Sequence, residues 1–293
     1  MKPFFRLLAS LPLAANHALG ALAGRLAYLL SPRYRRRVLD NLRHSGLCPT
    51  EEDVRRFAHE NAAEIGKSAT ELAWALYRTG EVAGLFRERV GWEAVVRLRA
   101  AGRPIIFVIP HLGGYDLAGR YLQLQGLPIV AMYRPHKIAW VDEMLRDGRN
   151  QGAPVGGSFT APATLGGVRM VLKHLRRGGC TVVLPDQVPG VGEGEWVDFF
   201  GRPAYTMTLL GRLQEASGAA IVFCYAERLS QAAGYRLHVE PLADPLPADR
   251  AAAARVVNAG VERLVRSCPA QYLWGYNRFK RPAGAPPPPG LAA

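Results

Sequence analysis

Apolar positions follow two different spacings along the chain, and each predicts a different kind of element. Across residues 50–101 they recur at intervals of three, four and seven, which predicts helices with one buried face. The positions with this spacing are Val54, Phe57, Ala58, Ile65, Leu72 and Leu76. Pro104 ends the region, and residues 105–109 then form a continuous, largely β-branched apolar run. Such a run is typical of a strand that is buried on both faces of a sheet.

Further apolar runs alternate with helical patterns through the rest of the chain. Residues 129–132, 181–184 and 219–225 predict three more buried strands, and residues 235–239 predict an antiparallel edge strand. The remaining stretches with helical spacing are residues 116–124, 139–149, 165–177, 206–215 and 248–267. Strands that alternate with helices predict an α/β fold with a central mixed, largely parallel β-sheet flanked by helices.

The N-terminal 45 residues differ in character from the rest of the chain. Residues 7–30 are rich in Leu and Ala and are interrupted by only a few polar positions, among them Arg25. As one helix this stretch is about 36 Å long, enough to cross a bilayer, although Arg25 is costly at depth. We therefore expect residues 1–45 to form an apolar, membrane-associating helical segment. Crossing the bilayer and lying in its interface are equal alternatives.

Composition indicates the remaining boundaries. Residues 46–281 contain all the predicted strands, and we expect them to form the domain that carries the chemistry. Residues 282–293 include four consecutive prolines, which predicts a disordered or extended tail. The cysteines have no paired spacing, so reduced thiols are expected rather than disulfides or a zinc site. They are Cys48, Cys180, Cys224 and Cys268.

The chain is strongly basic, with 37 Lys and Arg against 24 Asp and Glu and a formal net charge of +13. Nucleic acid is an unsuitable partner, because the sequence contains no zinc-finger spacing, ribonucleoprotein motif or recognition-helix signature. Anionic lipid headgroups and an acidic carrier protein both suit such a charge. The basic run at residues 33–37 directly follows the apolar segment, which places the main domain on the cytosolic side of a membrane.

Candidate chemistry lies just beyond the first predicted strand, where His111 is followed by Gly113, Gly114 and Asp116. On a regular helix the side chains of His111 and Asp116 would be about 140° apart, but two glycines allow a turn that brings them together. A histidine that removes the proton of a hydroxyl makes it a better nucleophile, while a carboxylate holds the histidine tautomer. We therefore predict that His111 and Asp116 lie within hydrogen-bonding reach in an open cleft. A pair of this kind alone is as often structural as catalytic.

The next two strands also end in ionisable residues. Tyr133 and Arg134 follow the second strand, Asp186 follows the third, and Arg149 lies in the helix after Arg134. In open α/β sheets ligands bind beyond the carboxyl ends of the strands, so these residues are candidates for one site with His111.

Several short motifs occur in an order that resembles one family. They are His111 to Asp116, Tyr133-Arg134-Pro135, Pro185-Asp186-Gln187, Phe199-Phe200-Gly201 and the ending from Gln271 to Lys280. Over about residues 20–281, the sequence is similar to the lipid A biosynthesis late acyltransferases of the lysophospholipid acyltransferase superfamily. The resemblance implies an O-acyltransferase at the inner membrane. Its expected reaction moves a lauroyl or myristoyl group to a hydroxyl of the glycolipid precursor of lipopolysaccharide.

For individual residues, the resemblance implies that His111 and Asp116 are the catalytic pair. The resemblance also implies that Arg149 assists catalysis or binds a phosphate of the acceptor. Our hypothesis is that Arg149, with nearby backbone amides, stabilises the tetrahedral oxyanion. The expected donor is an acylated acyl carrier protein, whose phosphopantetheine thioester is a co-substrate, and no other cofactor and no metal is implied. The residues assigned to substrate binding are Arg134, Asp186, Gly113, Tyr133 and Phe199.

Some of these assignments have alternatives. The Arg134 guanidinium can bind phosphate or form an ion pair with Asp186. Phe199 can line a slot for the acyl chain or belong to the core. Two other functions stay open, namely acyl transfer from acyl-CoA to another glycolipid or phospholipid, and lipid binding without turnover.

Overall fold

The computed structural model describes residues 2–133, 138–150 and 158–288. Its helices are α1 Lys2–Ser10, α2 Leu13–Leu30, α3 Pro32–Ser45, α4 Glu51–Tyr77, α5 Val82–Leu85, α6 Trp92–Ala100, α7 Tyr115–Leu124, α8 Ala139–Asn150, α9 Leu165–Leu175, α10 Leu209–Ser217 and α11 Arg250–Ser267. Its strands are β1 Phe86–Val90, β2 Ile105–Val108, β3 Ile129–Tyr133, β4 Ser158–Pro162, β5 Cys180–Val183, β6 Gly194–Phe199, β7 Arg202–Met207, β8 Ala220–Arg228 and β9 Tyr235–Pro241.

The strands form a seven-stranded sheet in the order β1-β9-β8-β2-β5-β3-β4 and a separate hairpin of β6 and β7. All neighbours in the large sheet are parallel except β8 and β9. Helices pack on both faces of this sheet. The prediction of an α/β fold with a central mixed, largely parallel sheet is therefore confirmed.

Two local predictions are wrong. The strand β9 is antiparallel to β8 as predicted, but the edge is formed by β1, which lies outside β9. The sequence of β1, FRERV, is mostly exposed and lacks the apolar run that identifies a buried strand. The helix predicted for residues 206–215 begins only at Leu209, because residues 202–207 pair with β6.

The strand β2 runs through the centre of the core, and its side chains alternate between two apolar layers. Ile106 and Val108 join the cluster that contains residues of α9, α10 and α11. Ile105 and Phe107 join the cluster that contains residues of α6 and α7. All four side chains are fully buried, and each stabilises the fold by roughly 1.5–3 kcal/mol relative to an exposed position. This rigid strand ends three residues before the candidate histidine.

The apolar N-terminal stretch forms two helices instead of one. Pro12 precedes α2, so the predicted helix of residues 7–30 divides into α1 and the 18-residue α2. The helices α2 and α4 approach closely at Gly20, Gly24 and Gly66, where an added Cβ atom would overlap backbone atoms of the facing helix. Among the helices in the described ranges, none has both the length and the hydropathy to span a bilayer.

The side of α2 that does not pack on α4 is apolar and exposed. We call it the apolar face of α2, and its residues are Leu19, Leu22, Leu26, Leu29 and Leu30. Leu30, at the end of the helix, is 79% exposed. A contiguous apolar surface of this kind is typical of a contact with a membrane or a partner.

The Pro-rich tail lies against the domain as far as residue 288. Residues 282–288 have no regular secondary structure. Ala285 is buried beside Val188 and Tyr205, and the carbonyl of Pro286 accepts a hydrogen bond from Trp196 Nε1 at 2.9 Å. These contacts attach the start of the tail near the β6–β7 hairpin.

Candidate active site

His111 and Asp186 lie side by side because β2 and β5 are parallel neighbours. Val108 at the end of β2 pairs with Val183 at the end of β5, and each polar residue lies three positions beyond its strand end. The two loops therefore leave the sheet in register. His111 Nδ1 lies 2.8 Å from Asp186 Oδ1, and the His111 backbone N–H donates to Oδ2 at 2.8 Å. Both carboxylate oxygens thus accept hydrogen bonds from His111.

The charges of this pair stabilise one another in a largely buried setting. Burial by itself would lower the pKa of His111, but attraction to and hydrogen bonding with Asp186, together with the charge of Asp116, raise that pKa above its ordinary value. Burial would raise the pKa of Asp186, yet its interactions with His111 lower it. Asp186 is therefore ionised at neutral pH, and its charge stabilises the imidazolium that forms when His111 takes up a proton.

The other ring nitrogen of His111, Nε2, has a neutral partner, the side-chain amide nitrogen of Gln187. When Nδ1 donates its proton to Asp186, Nε2 carries the lone pair that a general base requires. The Gln187 side-chain nitrogen lies 3.1 Å from Nε2, and the Tyr115 ring packs at 4.9 Å between centroids. The His111 side chain remains 13% exposed, so the pair has limited contact with solvent.

The loop after His111 is held by backbone contacts with two other segments. Gly113 has a φ of 61°, and a Cβ atom there would overlap the carbonyl oxygen of Ala226. The Gly113 N–H donates to the carbonyl of Gln271 at 3.1 Å, and the Gly114 N–H donates to that of Ala226 at 2.9 Å. The amides of residues 111–114 all have acceptors within the protein. As the loop stands, these amides are not available as oxyanion donors.

The predicted hydrogen bond between His111 and Asp116 is wrong. Asp116 lies in the first turn of α7, where its Oδ1 is 3.6 Å from Arg149 Nη2. The glycine turn does bring Asp116 near enough to raise the pKa of His111, but the in-register strand ends give Asp186 the position beside Nδ1. Asp186 was predicted from the sequence to bind substrate, and no sequence pattern connects it with His111.

Arg149 is positioned by a buried arginine that the sequence analysis missed. Arg120 of α7 donates from Nε to the carbonyl of Ala75 at 3.0 Å and from Nη1 to that of Arg149 at 3.3 Å, and its Nη2 donates to the carbonyl of Gly148. Burial, followed by repulsion from Arg149, lowers the pKa of Arg120 to about 10, which still leaves it protonated at neutral pH. An arginine on the apolar side of α7, between Leu117 and Tyr121, was the available signal.

Behind the loop lies a second buried group of charges, which we call the Arg228 network. Arg228 donates to Glu64 at 2.5 Å, to both oxygens of Glu71 at 2.5 and 2.7 Å, and to Ser68 at 2.9 Å. The Ser68 hydroxyl in turn donates to the carbonyl of Gly113 at 3.2 Å. Burial opposes ionisation of Glu71, but Arg228 outweighs it and lowers the pKa of Glu71. The network joins α4 to the end of β8 and to the loop after His111.

The remaining predicted residues lie around this site or outside the described residues. Tyr133 is buried at the end of β3, where its hydroxyl donates to the carbonyl of Asp142 at 3.4 Å and its ring faces the Arg149 guanidinium at 5.7 Å. Phe199 is buried in the core cluster, beside Phe200. The prediction for Arg134 falls on a residue that lies outside the described ranges.

The described ranges give no support for a metal site or for Cys180 or Cys268 as a nucleophile. In the described ranges, no three His, Cys, Asp or Glu side chains cluster so as to hold a metal ion. Burial raises the pKa of the Cys180 thiol to about 11 and that of the Cys268 thiol to about 12. These thiols are therefore protonated at neutral pH, and neither has the thiolate character of a nucleophile.

A family model for bacterial lipid A biosynthesis acyltransferases matches residues 3–281. The chain is similar to the lipid A biosynthesis lauroyltransferase of Escherichia coli K12, with 28% identity over 283 residues that cover 96% of this chain and 90% of the relative. The lipid A biosynthesis palmitoleoyltransferase of the same strain is 27% identical over 274 residues, or 90% of this chain and 85% of the relative. A lipid A biosynthesis acyltransferase of Haemophilus influenzae is 29% identical over 217 residues, 72% of this chain and 66% of the relative.

Proposed function

This chain belongs to the bacterial lipid A biosynthesis acyltransferase family, and from that premise we propose that it transfers a fatty acyl group from an acyl thioester to a hydroxyl of a lipid A precursor glycolipid. The observation that carries the proposal is the His111–Asp186 pair at the carboxyl ends of β2 and β5. Acyl transfer to a hydroxyl requires a base for the hydroxyl proton, and Nε2 of His111 is suited to that role.

The reaction follows from the geometry of the pair. His111 Nε2 removes the proton of the acceptor hydroxyl while its oxygen attacks the thioester carbonyl carbon. The tetrahedral intermediate then collapses, the carbon–sulfur bond breaks, and the leaving thiolate takes the proton from the imidazolium. A thiol has a pKa of about 8.5, so the thiolate leaves without a strong general acid. Asp186 orients the imidazole and stabilises its positive charge through Nδ1.

Arg149 stabilises the oxyanion in this proposal, and Asp116 holds Arg149. The Arg149 side chain is 37% exposed, and its guanidinium lies 3.6 Å from the Asp116 carboxylate at the start of α7. Because the loop amides already donate to the Asp186 carboxylate and to backbone carbonyls, a guanidinium is the better candidate for the developing negative charge. Gly113, Tyr133, Phe199 and Arg134 retain their proposed contributions to substrate binding.

The donor and the location are further parts of the proposal. An acyl carrier protein is acidic and is attracted to a chain with a formal charge of +13. Residues 1–45 form the membrane-associating segment, and the apolar face of α2 lies in the interface of the inner membrane. The catalytic domain, residues 46–281, then lies on the cytosolic face, where both carrier protein and glycolipid precursor reach His111.

The test uses the purified full-length chain, the glycolipid acceptor and mass spectrometry of the product. Acyl carrier protein and coenzyme A thioesters of one fatty acid, carrying different isotope labels, compete in the same assay. We expect the carrier protein label in the product. The variant His111→Ala should lose transfer, whereas His238→Ala, which removes a half-buried histidine paired with Glu227, should retain it. Retention of more than about a tenth of the activity by His111→Ala contradicts the assigned base.

The same assay separates the other candidate functions. A product that carries the coenzyme A label would identify acyl-CoA as the donor, and a different acylated lipid would identify another acceptor. In either case the proposed chemistry would stand. Binding of the lipid without any change in its mass would instead indicate a protein that binds lipid without turnover.

A further inference from the structure

A basic pocket lies at the start of α3, apart from the catalytic histidine. Its volume is about 390 Å³, and its lining comes from α3, the start of β7 and the segment after α11. We call it the Arg33 pocket, and its lining includes Arg33, Arg36, Arg37, Asn41, Arg202 and Phe279. Residues that are far apart in sequence thus bring four guanidinium groups around one cavity.

These guanidinium groups have no carboxylate partner among the described residues. Arg33 and Arg36 make no side-chain hydrogen bond or ion pair there, and Arg37 reaches only the carbonyl of Gly275 at 3.5 Å. Arg202 stacks over the ring of Phe279 at 4.2 Å. Asp40, the one carboxylate in the lining, is 3.1 Å from Arg43, which lies outside the pocket. The cavity therefore has a strong, uncompensated positive charge.

The position of these arginines on α3 is unfavourable for the protein alone. Helix α3 begins at Pro32, so Arg33 lies in its first turn, and Arg36 and Arg37 follow at once. The N-terminus of a helix already has a partial positive charge, which cations there oppose and an anion would offset. Guanidinium groups bind phosphate oxygens through paired hydrogen bonds. The cavity is also within the size range of small-ligand sites.

The pocket directly follows the apolar face of α2. Only Ser31 separates the exposed Leu30 at the end of α2 from the start of α3. A surface that lays Leu26, Leu29 and Leu30 into the acyl region of a bilayer would hold the first turn of α3 at the level of the headgroups. An acidic protein bound at the pocket would have to place its charged surface beside the exposed leucines of α2. These surroundings favour a lipid as the ligand.

We propose that the Arg33 pocket binds the phosphate of an anionic membrane lipid, so that headgroup binding and the apolar face of α2 attach the chain together. This inference rests on the membrane location in the proposed function, but it is independent of acyl transfer. One weak signal alone gives reversible attachment, and a hydrophobic contact combined with a basic site gives a stable one.

The test compares two variants of equal charge. The pocket variant is Arg33→Gln, Arg36→Gln and Arg202→Gln. The control variant is Arg97→Gln, Arg169→Gln and Arg177→Gln, which removes exposed arginines of α6 and α9 and of the turn after α9. Binding to phosphatidylcholine vesicles is measured without further lipid, with phosphatidic acid, and with cholesteryl hemisuccinate at the same charge density.

Wild-type protein should bind phosphatidic acid vesicles more tightly than hemisuccinate vesicles. The pocket variant should lose binding to phosphatidic acid by on the order of one hundredfold at low salt, from about fivefold for each basic residue near an anionic surface. The control variant should change by less than about threefold when the comparison is repeated at an ionic strength of about 0.1 M, because charges more than about 10 Å from the surface are then screened. Binding to vesicles of phosphatidylcholine alone, which depends on the apolar face of α2, should be the same for the wild type and both variants.

Equal losses in the two variants would reduce the effect to net charge and overturn the proposal. Equal binding of phosphatidic acid and hemisuccinate vesicles by wild-type protein would overturn the phosphate specificity. A pocket variant that keeps vesicle binding but loses an acidic carrier protein would assign the pocket to that partner instead. His111→Ala should bind vesicles as wild type does, so attachment and turnover fail or succeed separately. Circular dichroism with thermal unfolding checks that each variant is folded.

Discussion

Asp186→Asn tests the central pair with little change in shape. In the wild-type protein both carboxylate oxygens accept hydrogen bonds, one from the Nδ1–H of His111 and one from its backbone N–H. An asparagine offers one oxygen and one NH2 group at these two positions. It must either place its NH2 group against the backbone N–H, or accept from the backbone and donate to Nδ1. The second arrangement moves the ring proton to Nε2, which then cannot act as a base.

The expected effect is large. A carboxylate-to-amide change that forces the wrong tautomer lowers kcat by about 10⁴-fold in a well-studied His–Asp site of another enzyme class. We expect a loss of about 10³- to 10⁴-fold here, which corresponds to roughly 4–5.5 kcal/mol of transition-state stabilisation. Asp116→Asn, which weakens the contact with Arg149 and removes a charge near His111, should cost about 10- to 100-fold, because it leaves the His111 tautomer intact.

The pH dependence gives a second readout. The base must be unprotonated, so activity rises with pH through the pKa of His111. Asp186 holds this pKa above its ordinary value of about 6.5. Any activity that Asp186→Asn retains should rise at lower pH than in the wild type, since burial lowers that pKa and only the weaker attraction of Asp116 then opposes it. Asp116→Asn should move the rise in the same direction by less.

The assay is single-turnover acyl transfer by purified variants across a pH series, with Asp244→Asn as an exposed control that should behave as wild type. Thermal unfolding monitors the fold of each variant. The reasoning is refuted if Asp186→Asn stays within tenfold of wild type with an unmoved pH profile. It is also refuted if Asp116→Asn costs more than Asp186→Asn, because Asp116 would then be the effective partner of His111.

Two further substitutions test the parts that support the loop. Gly113→Ala should destabilise the protein by more than about 1–2 kcal/mol in urea unfolding, because it adds an overlap with a neighbouring carbonyl to the strain of a positive φ. Gly46 has a φ of 66° with open space around it, so Gly46→Ala measures the backbone strain alone and should destabilise the protein less. Equal destabilisation by the two substitutions would exclude a contribution from the overlap at Gly113. Glu71→Gln leaves the buried Arg228 charge partly uncompensated and should cost about 3 kcal/mol at neutral pH. Since the pKa of Glu71 is lowered by folding, its contribution is present above its unfolded pKa of about 4.3 and is lost as pH falls through the lower folded pKa. The difference between wild type and Glu71→Gln in chemical unfolding should therefore shrink in acid, and a difference that stays constant down to pH 2 would contradict an ionised Glu71.

Local patterns in the sequence were sufficient for five of the seven strands of the sheet, all but β1 and β4, and for one member of the site. The apolar runs at β2, β3, β5 and β8 are continuous because these strands are buried on both faces, and that continuity is visible in the chain itself. His111 was found for the same reason, since the strand end and the glycine turn that expose it are adjacent in sequence. The edge strand β1 escaped notice because its exposed, charged residues carry no burial pattern.

Only the tertiary structure decided which groups meet. Asp186 replaces Asp116 beside His111 because β2 and β5 pair in register across 75 residues, and no local feature records that register. Arg228 looks like a surface charge in sequence, and for both Arg228 and Arg120 the packing alone decides which acceptors they meet. The close packing of the α2 glycines against α4 is likewise decided by the tertiary structure. Backbone preference and periodicity act between near neighbours in the chain, whereas charge pairing and close packing depend on distances that arise only when remote segments come together.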